Sequence, residues 1–171
     1  LQKMVDMRPD LASYSRVSYL RELYGDVDGA IKAMQTAVSG AVPGTEQWSW
    51  TQVQLGNLYF NRGDLTNAEL IYRQVLQMKP DYAYAQAGLA RVQAAQGNLK
   101  DAIATYAAVV KRLPLADMVI TLGEWYEVSG NQAAAKQQYD LVNVIQQLNA
   151  SAGMNVDLEL ALFNANHGDK V

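Results

Sequence analysis

The 171-residue chain predicts an all-α fold of stacked helical hairpins, and three observations carry that expectation. A glycine followed by a small polar or acidic residue recurs at Gly25-Asp26, Gly63-Asp64, Gly97-Asn98, Gly130-Asn131 and Gly168-Asp169, at spacings of 38, 34, 33 and 38 residues. Each glycine has a Leu or Val eight residues earlier (Val17, Leu55, Leu89, Leu122, Leu160) and a Gly, Ala or Ser seven earlier (Ser18, Gly56, Ala90, Gly123, Ala161). The first four glycines are followed by an alanine at plus five (Ala30, Ala68, Ala102, Ala135) and a bulky residue at plus nine (Met34, Tyr72, Tyr106, Tyr139). A small or β-branched residue then stands at plus twelve (Ala37, Val75, Val109, Val142). Self-similarity at a period of about 20–50 residues marks stacked supersecondary units.

The spacings dictate what one unit is. Upstream of each glycine the apolar positions recur at three or four, as in Leu55, Tyr59 and Phe60, so the segment is an amphipathic helix. Downstream, Leu70, Val75 and Leu76, or Ala102, Tyr106 and Val109, repeat the pattern. Glycine at the bend takes positive φ without steric cost and closes the first helix; the Asp or Asn beside it caps the second. The small residue at minus seven and the alanine at plus five let the two backbones approach, and the Tyr or Met at plus nine fills the space beyond. A hairpin this short cannot cover its own apolar faces, so its neighbours must.

These residues resemble the tetratricopeptide repeat, whose 34-residue signature places Leu-Gly, Tyr, Gly, Ala, an aromatic and a terminal Pro at fixed offsets. The match is fullest at Leu55-Gly56, Tyr59, Gly63, Ala68, Tyr72 and Pro80. The resemblance implies a right-handed α-solenoid with four full repeats and partial repeats at both ends, a single array over 1–171. In order, 1–10 is the end of a preceding repeat, because LQKMVDMRPD parallels YRQVLQMKPD at 72–81. Repeats follow at 11–44, 49–82, 83–115 and 116–149, with insertions at 45–48 and 150–153. Residues 154–171 form the first helix of a fifth repeat. Arg21 and Gln93 depart from the signature, which prefers Tyr at both positions. In the insertion, Thr45 can cap a helix that starts early, so that Trp48 and Trp50 either form a protruding aromatic edge or cover a wider gap. Neither terminus looks like a solubilising cap, so the chain reads as a fragment of a larger array and resembles the middle of larger bacterial tetratricopeptide proteins.

Composition excludes several function classes. With 50% hydrophobic and 18% charged residues the chain is an ordinary soluble domain, and no apolar run approaches the roughly 20 residues of a membrane span. The net charge is -3 and the basic residues are scattered, so a nucleic-acid footprint is not expected. No cysteine occurs, which removes disulfide and thiol chemistry. The single histidine, His167, has no second His or Cys beside it to build a metal site of familiar spacing. Phosphate-binding glycine loops are absent, and a nucleophile triad would need the same His167. The expectation is no catalytic residue, no cofactor and no metal.

What is left is a surface. In such arrays the first helices line the inner face, and positions 2, 5, 9 and 12 of each helix return to one side of a 3.6-residue turn. They read Ala12, Ser15, Tyr19 and Glu22, then Trp50, Val53, Asn57 and Phe60. The third set is Tyr84, Ala87, Arg91 and Ala94, and the fourth Asp117, Ile120, Glu124 and Glu127. The face therefore runs from aromatic to acidic. Core packing alone would account for Trp50 and Tyr84 near their helix starts, and for Val53, Ala87 and Ile120 where first helices touch. Asn57, Arg91 and Glu124 share position 9, where packing calls for no polar group. Peptide-binding candidates are Tyr19, Asn57, Phe60, Tyr84, Arg91, Glu124 and Glu127, with basic residues of the partner facing Glu124 and Glu127. Those two glutamates lack the burial that would separate an acid from a base.

The clamp by which some tetratricopeptide domains hold the acidic tail of heat-shock chaperones needs Lys, Asn, Asn, Lys and Arg at fixed positions. Starting from the second repeat, the residues are Val53, Asn57, Gly88, Asp117 and Thr121, and only Asn57 agrees. No chaperone-tail clamp is expected. The leading expectation is a non-catalytic protein-interaction scaffold binding a peptide or partner helix. The alternative is a structural spacer, or a segment that self-associates through a C-terminal helix whose Leu158, Leu160, Leu162 and Phe163 exceed what one neighbour covers.

Overall fold

The computed structural model describes residues 10–154 and 157–167. Among these residues there is no strand, and nine α-helices follow one another. They are α1 (Leu11–Leu23), α2 (Val27–Ser39), α3 (Glu46–Asn61), α4 (Leu65–Met78), α5 (Ala83–Ala95), α6 (Leu99–Arg112), α7 (Ala116–Val128), α8 (Gln132–Ser151) and α9 (Asp157–His167). Residues 1–9 and the fifth glycine, Gly168, lie outside the described residues, as do the side chains of Leu158, Leu162 and His167. The chain divides into two compact units, Leu1–Asn98 and Leu99–Val171.

The four described bends behave as the repeat predicts. Gly25, Gly63, Gly97 and Gly130 have φ of 80, 86, 90 and 81°, the left-handed region where a side chain would be strained. At each, two amides fold back onto the helix they terminate: Gly63 N donates to the Phe60 carbonyl and Asp64 N to the Tyr59 carbonyl, both at 2.9 Å. This is the Schellman closure. The next residue caps the following helix, with Asp26, Asp64 and Asn131 side chains accepting from the amides of Gly29, Asn67 and Ala134. Each cap satisfies one of the donors that a helix start leaves orphaned.

In the first unit, α1 pairs with α2 and α3 with α4, while α4 packs on α5 and α3 also meets α5. One core cluster gathers Ala30, Ile31, Met34, Leu55, Leu58 and Ile71; a second gathers Trp48, Val53, Ala68, Tyr72, Val75, Ala85 and Val92. Tyr72 is the keystone of the second cluster. Its ring is fully buried and lies between Gly56 of α3 and Gly88 of α5, where an added Cβ would sit 2.5 Å from ring carbon at either position. The glycines are what admit the ring. The helix α3 begins early, at Glu46, with Thr45 Oγ1 accepting from Trp48 N at 3.2 Å. Trp48 is buried in the second cluster and Trp50 is 43% exposed, so the insertion covers internal apolar surface through Trp48 and presents only Trp50. An edge protruding on both tryptophans does not form.

The signature departures have visible consequences. Arg21 pairs with Asp26 at 3.5 Å across the first bend. The buried Oε1 of Gln93 has no hydrogen-bond partner among the described residues.

In the second unit α7 packs closely on α8, and α6 and α9 each meet α7. Tyr139 of α8 lies against Gly123, where an added Cβ would be 2.4 Å from the ring. The rings of Tyr106 and Trp125 are 4.8 Å apart, and those of Tyr139 and Phe163 are 5.5 Å apart. Leu160 and Phe163 are buried, at 1% and 6% exposure. Two of the four apolar residues expected to leave α9 uncovered are therefore inside the unit.

Candidate functional site

The first unit contains a cleft of about 460 Å³ between α1 and α3. First helices α3 and α5 approach closely, whereas no comparable approach joins α1 to α3 among the described residues. Small side chains on α1 help keep the space open. Ser18 turns its hydroxyl back to the Ala30 carbonyl at 2.8 Å, and Ser15 turns its own to the Leu11 carbonyl at 2.8 Å. Met34 of α2 reaches the lining from behind them.

The walls carry the chemistry. Tyr19 on α1 is 60% exposed, and Trp50 lies on α3. Arg16 and Glu22 line the α1 side; Gln54, Asn57, Leu58 and Asn61 line the α3 side; Arg91 enters from α5. Asn61 donates its side-chain N–H to Glu22 Oε1 at 3.0 Å, so the one carboxylate of the cleft is engaged across it. Arg91 stands over the Phe60 ring, with Cζ 4.3 Å from the centroid, a cation–π contact that holds the guanidinium in place. Neither Arg16 nor Arg91 has a carboxylate partner among the described residues.

Of the residues expected at the binding face, Tyr19, Asn57 and Arg91 line this cleft together, with Phe60 beneath Arg91. Asn57 also has an internal task that the sequence did not reveal: its Oδ1 accepts from the Tyr72 hydroxyl at 2.7 Å. Burial pushes that hydroxyl up to about 12, against the nearby charge of Arg91, which pulls it down. Tyr84 lies outside the cleft. It is 40% exposed near the start of α5, its ring 5.9 Å from that of Tyr82, whose hydroxyl donates to Glu46 Oε1 at 2.8 Å. Burial, then Glu46, raises the Tyr82 hydroxyl above its ordinary value. Lys79 reaches the other oxygen of the same carboxylate at 2.8 Å.

Glu124 and Glu127 belong to α7 in the second unit, where both are exposed, as is Asp117. Glu127 Oε2 accepts from the Tyr139 hydroxyl at 2.8 Å. Burial first, and then that carboxylate, drives the Tyr139 hydroxyl above its ordinary value. No cluster of three or more His, Asp or Glu residues arranged to hold a metal occurs among the described residues, and no described helix is long and apolar enough to cross a membrane.

The sequence reasoning missed Arg16, Gln54 and Asn61. Arg16 and Gln54 are position 6 of their repeats and Asn61 is position 13, each three or four residues from a position already assigned to this face. The signal was present in the helical period: a face wide enough to border a cleft takes more than four positions of a 3.6-residue turn.

Paired antiparallel helices closed by left-handed glycines define a helical-hairpin repeat protein. Residues 59–122 match the family model of the tetratricopeptide repeat. Among curated proteins no sequence matches the chain. Among solved structures, MamA superposes with a TM-score of 0.63 at 18% identity, over 88% of this chain and 86% of its own. A kinesin light chain from Podosopora anserina with nearly identical TPR-like repeats gives 0.59 at 20% identity, over 80% of this chain and 74% of its own. BtubC (BKLC) from P. vanneervenii gives 0.66 at 17%, over 85% and 65%. At these identities the likeness establishes the fold alone.

Proposed function

We propose that this chain is a non-catalytic scaffold that binds a peptide or a partner helix in the α1–α3 cleft. The observation that carries this reading is the combination of two exposed aromatic rings, Tyr19 and Trp50, in one cleft of about 460 Å³ with two arginines, Arg16 and Arg91, that have no carboxylate partner among the described residues. Rigid rings that exclude water beside polar groups that fix register are the composition of interaction hot spots. The exposed carboxylates Asp117, Glu124 and Glu127 support a second contact, in which α7 receives basic residues of a partner. The spacer alternative, where it invokes self-association through α9, has lost the support of Leu160 and Phe163.

Partner capture by the wild-type chain is compared with capture by Tyr19→Ala/Trp50→Ala and by Glu124→Gln/Glu127→Gln. Melting of all three is followed in parallel, and each variant should keep a single cooperative transition because none of the four side chains is fully buried. Loss of capture in the first variant is the expected result, and truncation of a hot-spot aromatic costs about 2 kcal/mol or more. Undiminished capture by that variant would remove the cleft from the reading.

A further inference from the structure

Tyr72 is a second-helix residue, yet its hydroxyl arrives at the face formed by first helices. It gets there because neither Gly56 nor Gly88 has a side chain to block the ring. The hydroxyl meets Asn57, and Arg91 lines the same cleft as Asn57, where its charge works against the burial that raises the hydroxyl. A tyrosine oxygen beside a cation turns its lone pairs toward the positive charge and leaves its proton for another partner. That partner is the carbonyl oxygen of the Asn57 amide, which is how the bond at 2.7 Å is arranged. An asparagine whose oxygen is committed inward offers its two N–H donors outward.

We propose that Asn57 and Arg91, oriented by the Tyr72 hydroxyl, form a carboxylate-reading corner in the cleft, and that the ligand which the cleft takes is a peptide bearing an Asp or Glu side chain there. This deepens the scaffold reading and rests on it. The corner is rich in donors: two from Asn57, and the guanidinium fork of Arg91 held against Phe60. Glu22, the carboxylate lining the cleft, is bonded to Asn61 and pairs with neither Arg16 nor Arg91 among the described residues. A neutral amide side chain would bring its own N–H group toward donors and leave them unmatched, which is the usual source of strong discrimination. Tyr72 is a positioning residue in this scheme and does not touch the ligand.

The probes are N-acetylglutamate N′-methylamide, whose only carboxylate is that of the side chain, and its neutral counterpart N-acetylglutamine N′-methylamide, titrated into the 15N-labelled chain. The Asn57 side-chain amide pair and the Arg91 Nε–H resonance should move with the acid and stay in place with the amide. Tyr72→Phe keeps the ring in its glycine slot and removes the hydroxyl; acid affinity should fall about two- to twelvefold, the worth of one hydrogen bond, with a single cooperative melting transition retained. Asn57→Asp can still accept from Tyr72 but replaces the donors by a negative charge, and should abolish the acid response. Equal responses to acid and amide, unchanged acid affinity in Tyr72→Phe, or a persisting response in Asn57→Asp would each overturn the proposal. The scaffold reading is judged separately, by capture with the Tyr19→Ala/Trp50→Ala variant, so the two can fail independently.

Discussion

Tyr72 and Tyr139 occupy the same offset, nine residues after their bend glycines, and each lies against a glycine seven residues before the bend. Their surroundings then diverge. Tyr72 is gripped by two glycines, Gly56 and Gly88, and is fully buried; its hydroxyl goes to the neutral Asn57. Tyr139 faces one glycine, Gly123, and is half-buried; its hydroxyl goes to the charged Glu127, and Phe163 flanks its ring. The repeat template specifies that a ring crosses between helices. What the ring meets on the far side is left to residues the template does not constrain, and that is where the first unit becomes donor-rich and the second acidic.

The sharpest way to break this comparison is to delete both rings. Removing a fully buried aromatic costs about 3–5 kcal/mol, so Tyr72→Ala should lose most of the local stability of α3–α5. Tyr139→Ala should lose about 1–2 kcal/mol, within the range of ordinary substitutions, because part of its ring already faces solvent. Hydrogen exchange of α3–α5 amides in one variant and α7–α8 amides in the other gives each local loss. Equal losses would show that the second glycine adds nothing to the grip on Tyr72.

The grip can also be tightened until it fails. Alanine at Gly56 or Gly88 gains about 1 kcal/mol of helix propensity but places a methyl within the Tyr72 ring, and overpacking costs about 1–3 kcal/mol. A net loss is expected from each single change in urea unfolding. The double variant should lose less than the sum, because the ring displaced by one methyl no longer collides with the other. Gly123→Ala should be milder than either, since Tyr139 is only half-buried and lies against a single glycine among the described residues. Strict additivity of Gly56→Ala and Gly88→Ala would mean that the two glycines do not share one ring.

Much of this was legible before any coordinate. The glycine dipeptides gave the four bends, including their φ sign and the caps that follow, because a left-handed turn and an orphaned helix donor each admit few residue types. The small residue at minus seven was legible as close approach. It was not legible that a ring would lie in the opening, since periodicity assigns a side chain to a face of its own helix and says nothing about which neighbours it passes between. For the same reason Asn57 looked dispensable to packing while it in fact receives Tyr72. Tyr84 was read onto the binding face by its position number, but it sits near the start of α5 with Tyr82, where the chain arrives from the preceding helix. Trp48 and Trp50, two positions apart, could not be told apart by composition; two steps of about 100° along the helix send one inward and the other out.

The smallest expected effect concerns acid, and it separates Glu46 from Glu127. Glu46 is held below its ordinary value by Lys79 first and Tyr82 second, whereas Glu127 meets the neutral Tyr139 hydroxyl. A carboxyl whose value is lowered on folding contributes stability above its unfolded value, and that contribution disappears as pH falls through the folded one. Glu46 therefore tethers the start of α3 to Lys79 and Tyr82 at neutral pH and releases it in acid. Because this carboxylate is largely exposed, with a side chain 69% accessible, solvent screening keeps its share below about 1 kcal/mol. Glu46→Gln should slightly lower stability at pH 7 and flatten the decline between neutral pH and the carboxylate range, and added salt should shrink the difference. Glu127→Gln should leave the acid limb of α3–α5 exchange unchanged. An acid limb in Glu46→Gln as steep as that of the wild type would place the acid-sensitive tether elsewhere in the first unit, with Glu69 and its Arg73 partner as the next carboxylate to remove.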